Sequence, residues 1–227
     1  MSQTFNSFET VFVRVDTQRA YERLWEKITT LELEPGAPIN EQQLAQELEM
    51  STSAVRESLR LLAHNNLVVV TPRHGLYVAD VNIADLEQLS DIRLSLESLC
   101  ARRAAQRATA DDLVVLEALR QEQATVPLTD SRRLFGLDHK FHQAVAQAAR
   151  NKYLAQTLDR LFGLSRRLWY LVLPHLGYLP AAVEQHLKLV EAIEAGDADR
   201  AEQIMYEHVE EFYAQVRETL IAKNKEA

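Results

Sequence analysis

The sequence predicts a mainly α-helical protein in which an N-terminal winged helix-turn-helix precedes an antiparallel helical bundle. Between Asn40 and Asp80, two short amphipathic segments joined by a tight turn are followed by two β-prone runs, the element order of a winged helix. From Val81 onward no strand pattern recurs, and six helical segments follow one another through short connections. We therefore expect two domains, at 1–80 and 81–227.

The first helix is expected from about Thr17 to Leu31, because apolar residues recur there at steps of three and four. Its apolar stripe consists of Tyr21, Leu24, Ile28 and Leu31. Pro35 and Gly36 interrupt the pattern and indicate a turn before the next helix.

Two N-cap signals open the helix-turn-helix. Asn40 has a glutamine three residues later, the spacing of a capping box, and Ser51 is the second N-cap candidate. The apolar side chains of the second helix that we expect to face the core are Val55, Leu59 and Leu62. Ser53, Arg56 and Arg60 share a different face, so the basic side chains point away from the packing surface.

A β-hairpin is expected after this helix. Its strands cover residues 67–71 and 76–79, and the segment Pro72-Arg73-His74-Gly75 between them consists of turn-forming residues. This arrangement puts Arg73 and His74 at the tip of the hairpin.

Six helices are expected in the C-terminal domain, at about 82–107, 109–125, 130–150, 151–173, 180–195 and 197–223. Their boundaries follow from residues that stop a helix. Pro127 and Pro174 break the helical pattern, and Gly196 suits the C′ position. Short connections between the helices favour antiparallel neighbours.

Composition limits the possible functions. The net charge is −8, and residues 1–80 carry seven basic against eleven acidic side chains, so the basic footprint of most nucleic-acid binders is absent. Contact with DNA would depend on a few locally placed arginines, and non-specific binding should be weak.

The segment 1–17 has no secretory-signal pattern, no apolar run reaches the ~20 residues of a membrane helix, and Cys100 is the only cysteine. We therefore expect a cytoplasmic protein.

The second helix of a helix-turn-helix lies in the major groove of DNA, where its first residues meet base edges. The guanidinium fork of Arg56 or Arg60 can bond guanine O6 and N7 together. The candidates for phosphate contacts at the start of this helix are Ser51, Thr52 and Ser53. Arg73 and His74 could reach the backbone or the minor groove. The alternative is a small helical domain with an exposed basic face and no DNA partner.

A second constellation has the composition of a metal site. Asp138 and His142 are four residues apart, so both side chains leave the same face of one helix. His186 and His208 lie on two later helices, and in a bundle such residues can converge on one interior point. A carboxylate and three imidazoles suit Zn²⁺ best, with Ni²⁺ or Mn²⁺ as alternatives. The alternative interpretation is that these are ordinary core or surface histidines.

The N-terminal domain resembles the DNA-binding domain of GntR-family bacterial transcription regulators. The matching stretches are Leu33-Glu34-Pro35-Gly36, Leu44-Ala45, Ser51, Val55-Arg56-Glu57-Ser58-Leu59-Arg60-Leu61-Leu62, Asn66-Leu67-Val68 and Pro72-Arg73-His74-Gly75. Glu49, Thr52 and Ala54 stand where that family commonly has Gly, Arg and Pro. The resemblance implies a DNA-binding role, and Thr52 implies an operator that differs from the family's common one.

The C-terminal domain is similar to the all-helical FCD domain of the FadR subfamily. Many of its members bind a divalent metal through an Asp-x₃-His pair and one histidine on each of two later helices. The residues that follow this pattern in order are Asp138, His142, His186 and His208. The resemblance further implies a small carboxylate effector at the metal's open positions, assisted by an arginine at the position of Arg93. The alternative for Arg93 is a solvated side chain paired with Glu97.

We expect a transcription regulator and not an enzyme. It would be a homodimer on a palindromic DNA operator, because two half-sites need two recognition helices. Effector capture in the bundle would change the spacing of the winged domains and relieve repression. Two alternatives stay open: a metal-dependent all-α hydrolase that uses Glu97 or Glu207, and a pure metal-ion sensor.

Overall fold

The computed structural model describes the backbone of residues 7–82, 84–176 and 180–226. The chain forms two compact units, Met1–Val81 and Asn82–Ala227. In the described residues the first unit contains three helices and a small antiparallel sheet. In chain order its elements are α1 (Ser7–Thr29), β1 (Pro38–Ile39), α2 (Glu41–Leu48), α3 (Thr52–His64), β2 (Val68–Thr71) and β3 (Gly75–Val78). The central strand is β3, which pairs with β1 on one side and β2 on the other.

Two features of the first unit differ from the sequence-based expectation. The first helix begins at Ser7 and not near Thr17, because its early turns precede the apolar stripe by which the helix was recognised. The strand β1 has only two residues, which is too short for any alternation of side chains to reveal it.

Both predicted N-caps are present. The Asn40 side chain accepts hydrogen bonds from the backbone of the second and third residues after it, at 3.0 and 3.1 Å. Ser51 Oγ accepts from the backbone N–H of Ala54 at 3.2 Å. Between the two helices, Glu49 adopts a left-handed conformation with φ of 55°, which is the conformation for which glycine is best suited.

The second unit is a helical bundle. Its elements are α4 (Asp85–Arg107), α5 (Ala110–Thr125), α6 (Ser131–Ala148), α7 (Lys152–Leu176), α8 (Pro180–Glu194) and α9 (Ala198–Glu226). They correspond to the six predicted helices. The central helix is α4, which contacts α6, α7, α8 and α9. Within the described residues, no helix combines the length and the apolar character needed to span a membrane.

The predicted end of α7 at Leu173 is wrong, because the helix continues to Leu176. It passes through Pro174, which lacks the backbone N–H that would bond to the carbonyl of Tyr170. The helix therefore gives up one hydrogen bond at this position and does not stop.

Candidate metal centre and nucleic-acid interface

Four side chains from three helices meet inside the bundle. Asp138 and His142 lie one turn apart on α6, and both are buried. His186 of α8 and His208 of α9 are also buried, with 1% and 7% of their surface exposed. The potential ligand atoms of these four residues lie within 4.8 Å of one another. The structure thus brings together the set of residues that the sequence spacing had suggested.

The distances between these atoms suit a metal ion. His208 Nε2 lies 3.1 Å from His142 Nε2 and 3.4 Å from His186 Nε2. The Asp138 oxygens lie 3.5 Å from His186 Nε2 and 3.8 Å from His142 Nε2. Bonds of about 2.0–2.1 Å to zinc put neighbouring tetrahedral ligands roughly 3.3 Å apart. The residues therefore fit a divalent ion in spacing as well as in chemistry.

The other ring nitrogen of each histidine, Nδ1, meets a side-chain oxygen on another helix. The pairs are His142 with Glu97, His186 with Gln123 (2.8 Å), and His208 with Gln185 (2.9 Å). A carboxylate or an amide oxygen can only accept, so each Nδ1 carries the proton and donates it outward. This role of Glu97, Gln123 and Gln185 could not be predicted from the sequence, because it arises from contacts between helices and not from any periodic pattern.

These outward hydrogen bonds define what faces the centre. With Nδ1 protonated and the ring neutral, Nε2 of His186 and His208 presents a lone pair toward the common point, and His142 does the same when its ring is neutral. Asp138 adds a carboxylate, so when all three rings are neutral the four residues direct only hydrogen-bond acceptors at one another. Buried acceptors that face each other repel, and a cation between them removes the repulsion.

Burial keeps two of the imidazoles in the neutral form that binds metals. Burial and the neighbouring His142 hold the pKa of His208 at about 3, and burial with the charges of the other two histidines holds the pKa of His186 well below its ordinary value. Burial also acts to lower the pKa of His142, but the neighbouring carboxylates of Glu97 and Asp138 together outweigh it and raise that pKa. For Glu97, burial acts to raise the pKa, yet Arg93 and His142 hold it at about 2. This carboxylate is therefore ionised.

Arg93, the predicted effector residue, is buried on α4 with 2% of its surface exposed. Its guanidinium bonds the carboxylate of Glu97 at 2.5 Å and donates to the Tyr213 hydroxyl at 3.3 Å. The alternative interpretation, a solvated arginine paired with Glu97, is correct about the pairing. It is wrong about the solvation, because the side chain is buried. Arg93 is part of the bundle interior.

A narrow cavity of about 20 Å³ lies beside the cluster. Its lining includes Arg93, Asp138, His142 and His208, and its apolar walls include Phe135 and Trp169. The indole N–H of Trp169 is buried and has no hydrogen-bond partner among the described residues. The cavity is thus bordered by the Arg93 guanidinium, by residues of the metal-type cluster and by an indole whose N–H has no partner among the described residues.

A larger cavity of about 290 Å³ reaches His142 and Glu97 from between α6 and α7. The charged residues among its described lining, Glu97 and Asp159, are both acidic. Its described lining contains no arginine or lysine, whereas the narrow cavity is lined by both Arg93 and the acidic Asp138.

The predicted base-reading arginines lie on the exposed surface of α3. Arg56 Nε donates to Glu41 at 2.9 Å, and Arg60 donates to Glu57 at 3.2 Å. Both arginines are therefore accessible, and each is held by a carboxylate of the same domain.

The predicted phosphate-contacting residues lie at the N-terminus of α3. Ser51 and Ser53 are exposed, Thr52 is half-buried, and the two serine hydroxyls lie 3.1 Å apart. The backbone N–H groups at such a helix end favour an anion.

Arg73 and His74 are exposed in the turn between β2 and β3, which closes between paired residues Thr71 and Gly75. Arg73 has φ of 68°, a left-handed conformation at the tip of the hairpin.

Comparison with known proteins covers both units. Residues 88–211 match the model of the FCD domain, and residues 16–78 match that of the bacterial regulatory proteins of the gntR family. The HTH-type transcriptional repressor RspR of Escherichia coli K12 is 30% identical over 202 residues, which cover 88% of this chain and 89% of that protein. The galactonate operon transcriptional repressor of the same strain is 28% identical over 194 residues, covering 74% and 82%.

Among solved structures, E. coli McbR/YncC has a TM-score of 0.78 at 23% identity, covering 90% of this chain and 98% of that one. A putative GntR regulator from Rhodococcus sp. RHA1 has a TM-score of 0.71 at 20% identity, covering 88% and 96%. These likenesses confirm the predicted fold class. The curated relatives are transcription regulators, which confirms the expectation of a non-enzymatic protein over the hydrolase alternative.

Proposed function

The chain belongs to the GntR family of bacterial transcription regulators and carries an FCD domain, and on this premise we propose that a ligand at a divalent-metal centre controls its binding to DNA. The proposed metal ligands are Asp138, His142, His186 and His208. Zinc is the ion expected first, with nickel or manganese as alternatives. The working form is a cytoplasmic homodimer that represses transcription from a palindromic operator.

One observation carries the metal centre. Three imidazole Nε2 atoms and the Asp138 carboxylate face one another inside the bundle, and four of the atom pairs lie 3.1–3.8 Å apart, near the roughly 3.3 Å between tetrahedral zinc ligands. Such a group of acceptors is unfavourable when it is buried without a cation. When bound, the ion supplies a positive charge that attracts a carboxylate oxygen.

The effector is proposed to be a small carboxylate in the narrow cavity beside Arg93. The acid would bond the Arg93 guanidinium in competition with Glu97, and the Trp169 N–H, which has no partner among the described residues, would suit a further acceptor on the same molecule. The cavity of about 20 Å³ is too small for most organic acids, so its walls must separate when an acid enters. Arg93 and Glu97 both lie on α4, so an acid that bonds Arg93 would change the contacts of the central helix of the bundle. The acid must bind two arrangements of the protein with different affinity for this to affect DNA.

DNA is proposed to meet the exposed face of α3. Arg56 and Arg60 would read bases in the major groove, while the start of α3 and the hairpin tip contact the sugar-phosphate backbone or the minor groove. The residues assigned to these latter contacts are Ser51, Thr52, Ser53, Arg73 and His74. Repression is the proposed direction because two relatives are named repressors.

The experiment starts from the metal content of the full chain, purified without a chelator. We expect one equivalent of divalent metal, and its loss in His186→Ala. The loaded protein is then titrated onto DNA that it has selected from a random pool, with acetate, pyruvate and succinate as probes. An active acid should weaken DNA binding by about 5- to 150-fold. A chain that holds no metal, or DNA affinity indifferent to metal and to all three acids, would overturn the proposal.

A second candidate, control by the metal ion alone, is favoured by the small volume of the cavity. In that case, titration of zinc into metal-free protein changes DNA affinity with no acid present. Subsequent addition of the acids then has no effect, which separates this candidate from the first.

A further inference from the structure

We propose that Gln123 and Gln185 are positioning residues of the metal centre, which fix the tautomer and the ring orientation of two histidine ligands. The inference rests on the proposed metal site and adds to it a set of residues outside the four ligands. Each glutamine presents an amide oxygen to the Nδ1 of a histidine, at 2.8 Å for Gln123 and 2.9 Å for Gln185.

The choice of tautomer decides whether these histidines can bind an ion. A neutral imidazole carries its proton on either Nδ1 or Nε2, and only the nitrogen without a proton can be a ligand. An acceptor held against Nδ1 keeps the proton there and leaves Nε2 available. In known metal sites, such outer hydrogen bonds change metal affinity by about 10- to 100-fold.

Gln123 is placed so that this hydrogen bond is well isolated from water. It lies on α5 with 1% of its surface exposed, and its partner His186, on α8, is equally buried. His186 is also stacked on Phe141, with ring centroids 4.0 Å apart, so its ring plane is fixed by packing as well. The amide therefore selects the nitrogen while the aromatic ring fixes the plane.

Gln185 is itself oriented by a second contact. Its amide nitrogen donates to Glu211 of α9 at 2.8 Å, which turns the amide oxygen toward His208. Gln185 of α8 thus contacts both His208 and Glu211 of α9. Because it follows Val183 and Glu184 and directly precedes His186, one short stretch of α8 supplies both a ligand and the support for another ligand.

The three residues that accept from the histidine Nδ1 atoms differ in charge. His142 is held by a carboxylate, Glu97, whose charge Arg93 balances, whereas the other two histidines are held by neutral amides. An amide oxygen accepts the hydrogen bond as a carboxylate would, but it adds no buried negative charge. A further buried carboxylate would need a cation of its own.

The test measures zinc affinity of the full chain by competition with a chromophoric chelator. Gln123→Leu and Gln185→Leu remove the acceptor at similar volume and should each weaken zinc binding by about 10- to 100-fold. Gln123→Glu keeps an acceptor and should retain most of the affinity. Gln121→Leu, on the same helix but exposed and bonded to Glu117, is the matched control and should leave affinity unchanged.

A second readout separates positioning from general stability. In metal-free protein labelled with ¹⁵N-histidine, NMR should find the proton of His186 on Nδ1 in the unmodified chain and in Gln123→Glu, and redistributed toward Nε2 in Gln123→Leu. Unchanged zinc affinity or unchanged tautomer in a folded Gln123→Leu overturns this inference and leaves the metal site standing. Absence of zinc binding in the unmodified chain overturns the proposed function together with it.

Discussion

Glu97 contacts His142 through one carboxylate oxygen and binds Arg93 through the other, so a single ionised side chain joins the metal-type cluster to the buried arginine. Both groups that it holds lie inside the bundle, where a charge without a partner is unfavourable. Glu97 is therefore the residue whose removal should disturb both the stability of the bundle and its affinity for metal.

We expect Glu97→Gln to lower the free energy of unfolding of the metal-free protein by about 3 kcal/mol, because it leaves the buried charge of Arg93 uncompensated. Chemical denaturation followed by circular dichroism measures this. Glu117→Gln is the control, since Glu117 pairs with Arg120 near the surface and its loss should cost less than about 1 kcal/mol. Equal losses in the two variants would contradict the assignment of a buried ion pair.

Removal of the metal should lower the thermal stability of the protein. An ion bound only by the folded state adds about 2.7 kcal/mol when it is present at a hundred times its dissociation constant. We expect a chelator to lower the melting temperature of the unmodified chain and of His64→Ala, whose histidine is exposed in the first unit. The chelator should not change the melting temperature of His208→Ala. If it lowers the melting temperature of that variant by the same amount, the ion is bound elsewhere.

Glu49→Gly should stabilise the first unit. The left-handed conformation costs a residue other than glycine about 1–2 kcal/mol, and the greater flexibility of glycine in the unfolded chain offsets about 0.4–1 kcal/mol of the gain. A net gain of roughly 0.5–1 kcal/mol in the free energy of unfolding follows. Gln46→Gly, within α2, should instead lose about 1 kcal/mol. A loss of stability in Glu49→Gly would show that this side chain makes a contribution beyond its backbone conformation.

The thiol of Cys100 should be unreactive in the native protein. Burial, and then the nearby charge of Glu97, raises the pKa of Cys100 to about 12, so at pH 8 the thiol stays protonated and covered. A disulfide reagent such as Ellman's should find no thiol in the native chain and one per chain in guanidinium. Rapid reaction under native conditions would mean that α4 opens readily.

Arg56→Ala should weaken binding to the selected DNA by about 10- to 100-fold, which corresponds to the loss of one good contact to a base. Fluorescence anisotropy on specific and scrambled duplexes measures the change, which should be much smaller for the scrambled one. Arg132→Ala, an exposed arginine of the second unit, controls for loss of charge alone. If Arg56→Ala lowers the affinity for both duplexes by the same factor, this arginine contacts phosphate and does not read bases.

Much of the fold could be predicted because its signals are local. Apolar repeats define the helices, and Asn40 and Ser51 cap α2 and α3 where the sequence indicated. The histidines also stood out, since Asp138 and His142 share a helix face by spacing alone. The early turns of α1 and the two-residue β1 carried no such pattern.

The remaining features depend on contacts between distant parts of the chain. Nothing in the neighbourhood of Gln123 indicates that its amide meets a histidine 63 residues later. The burial of Arg93 likewise follows from the packing of α4 at the centre of the bundle, since an arginine four residues before a glutamate is equally typical of an exposed helix face.

The ion pair between Arg56 and Glu41 has a consequence for discrimination among DNA sequences. At the proposed DNA interface, Arg56 would have to leave a carboxylate that holds it by two nitrogen contacts, at 2.8 and 2.9 Å, before it could reach a base. Every duplex, right or wrong, meets this same internal competitor. A guanine that engages the whole guanidinium would replace the lost contacts, whereas a mismatched base would not, so Glu41 would disfavour binding of the proposed interface to non-specific DNA.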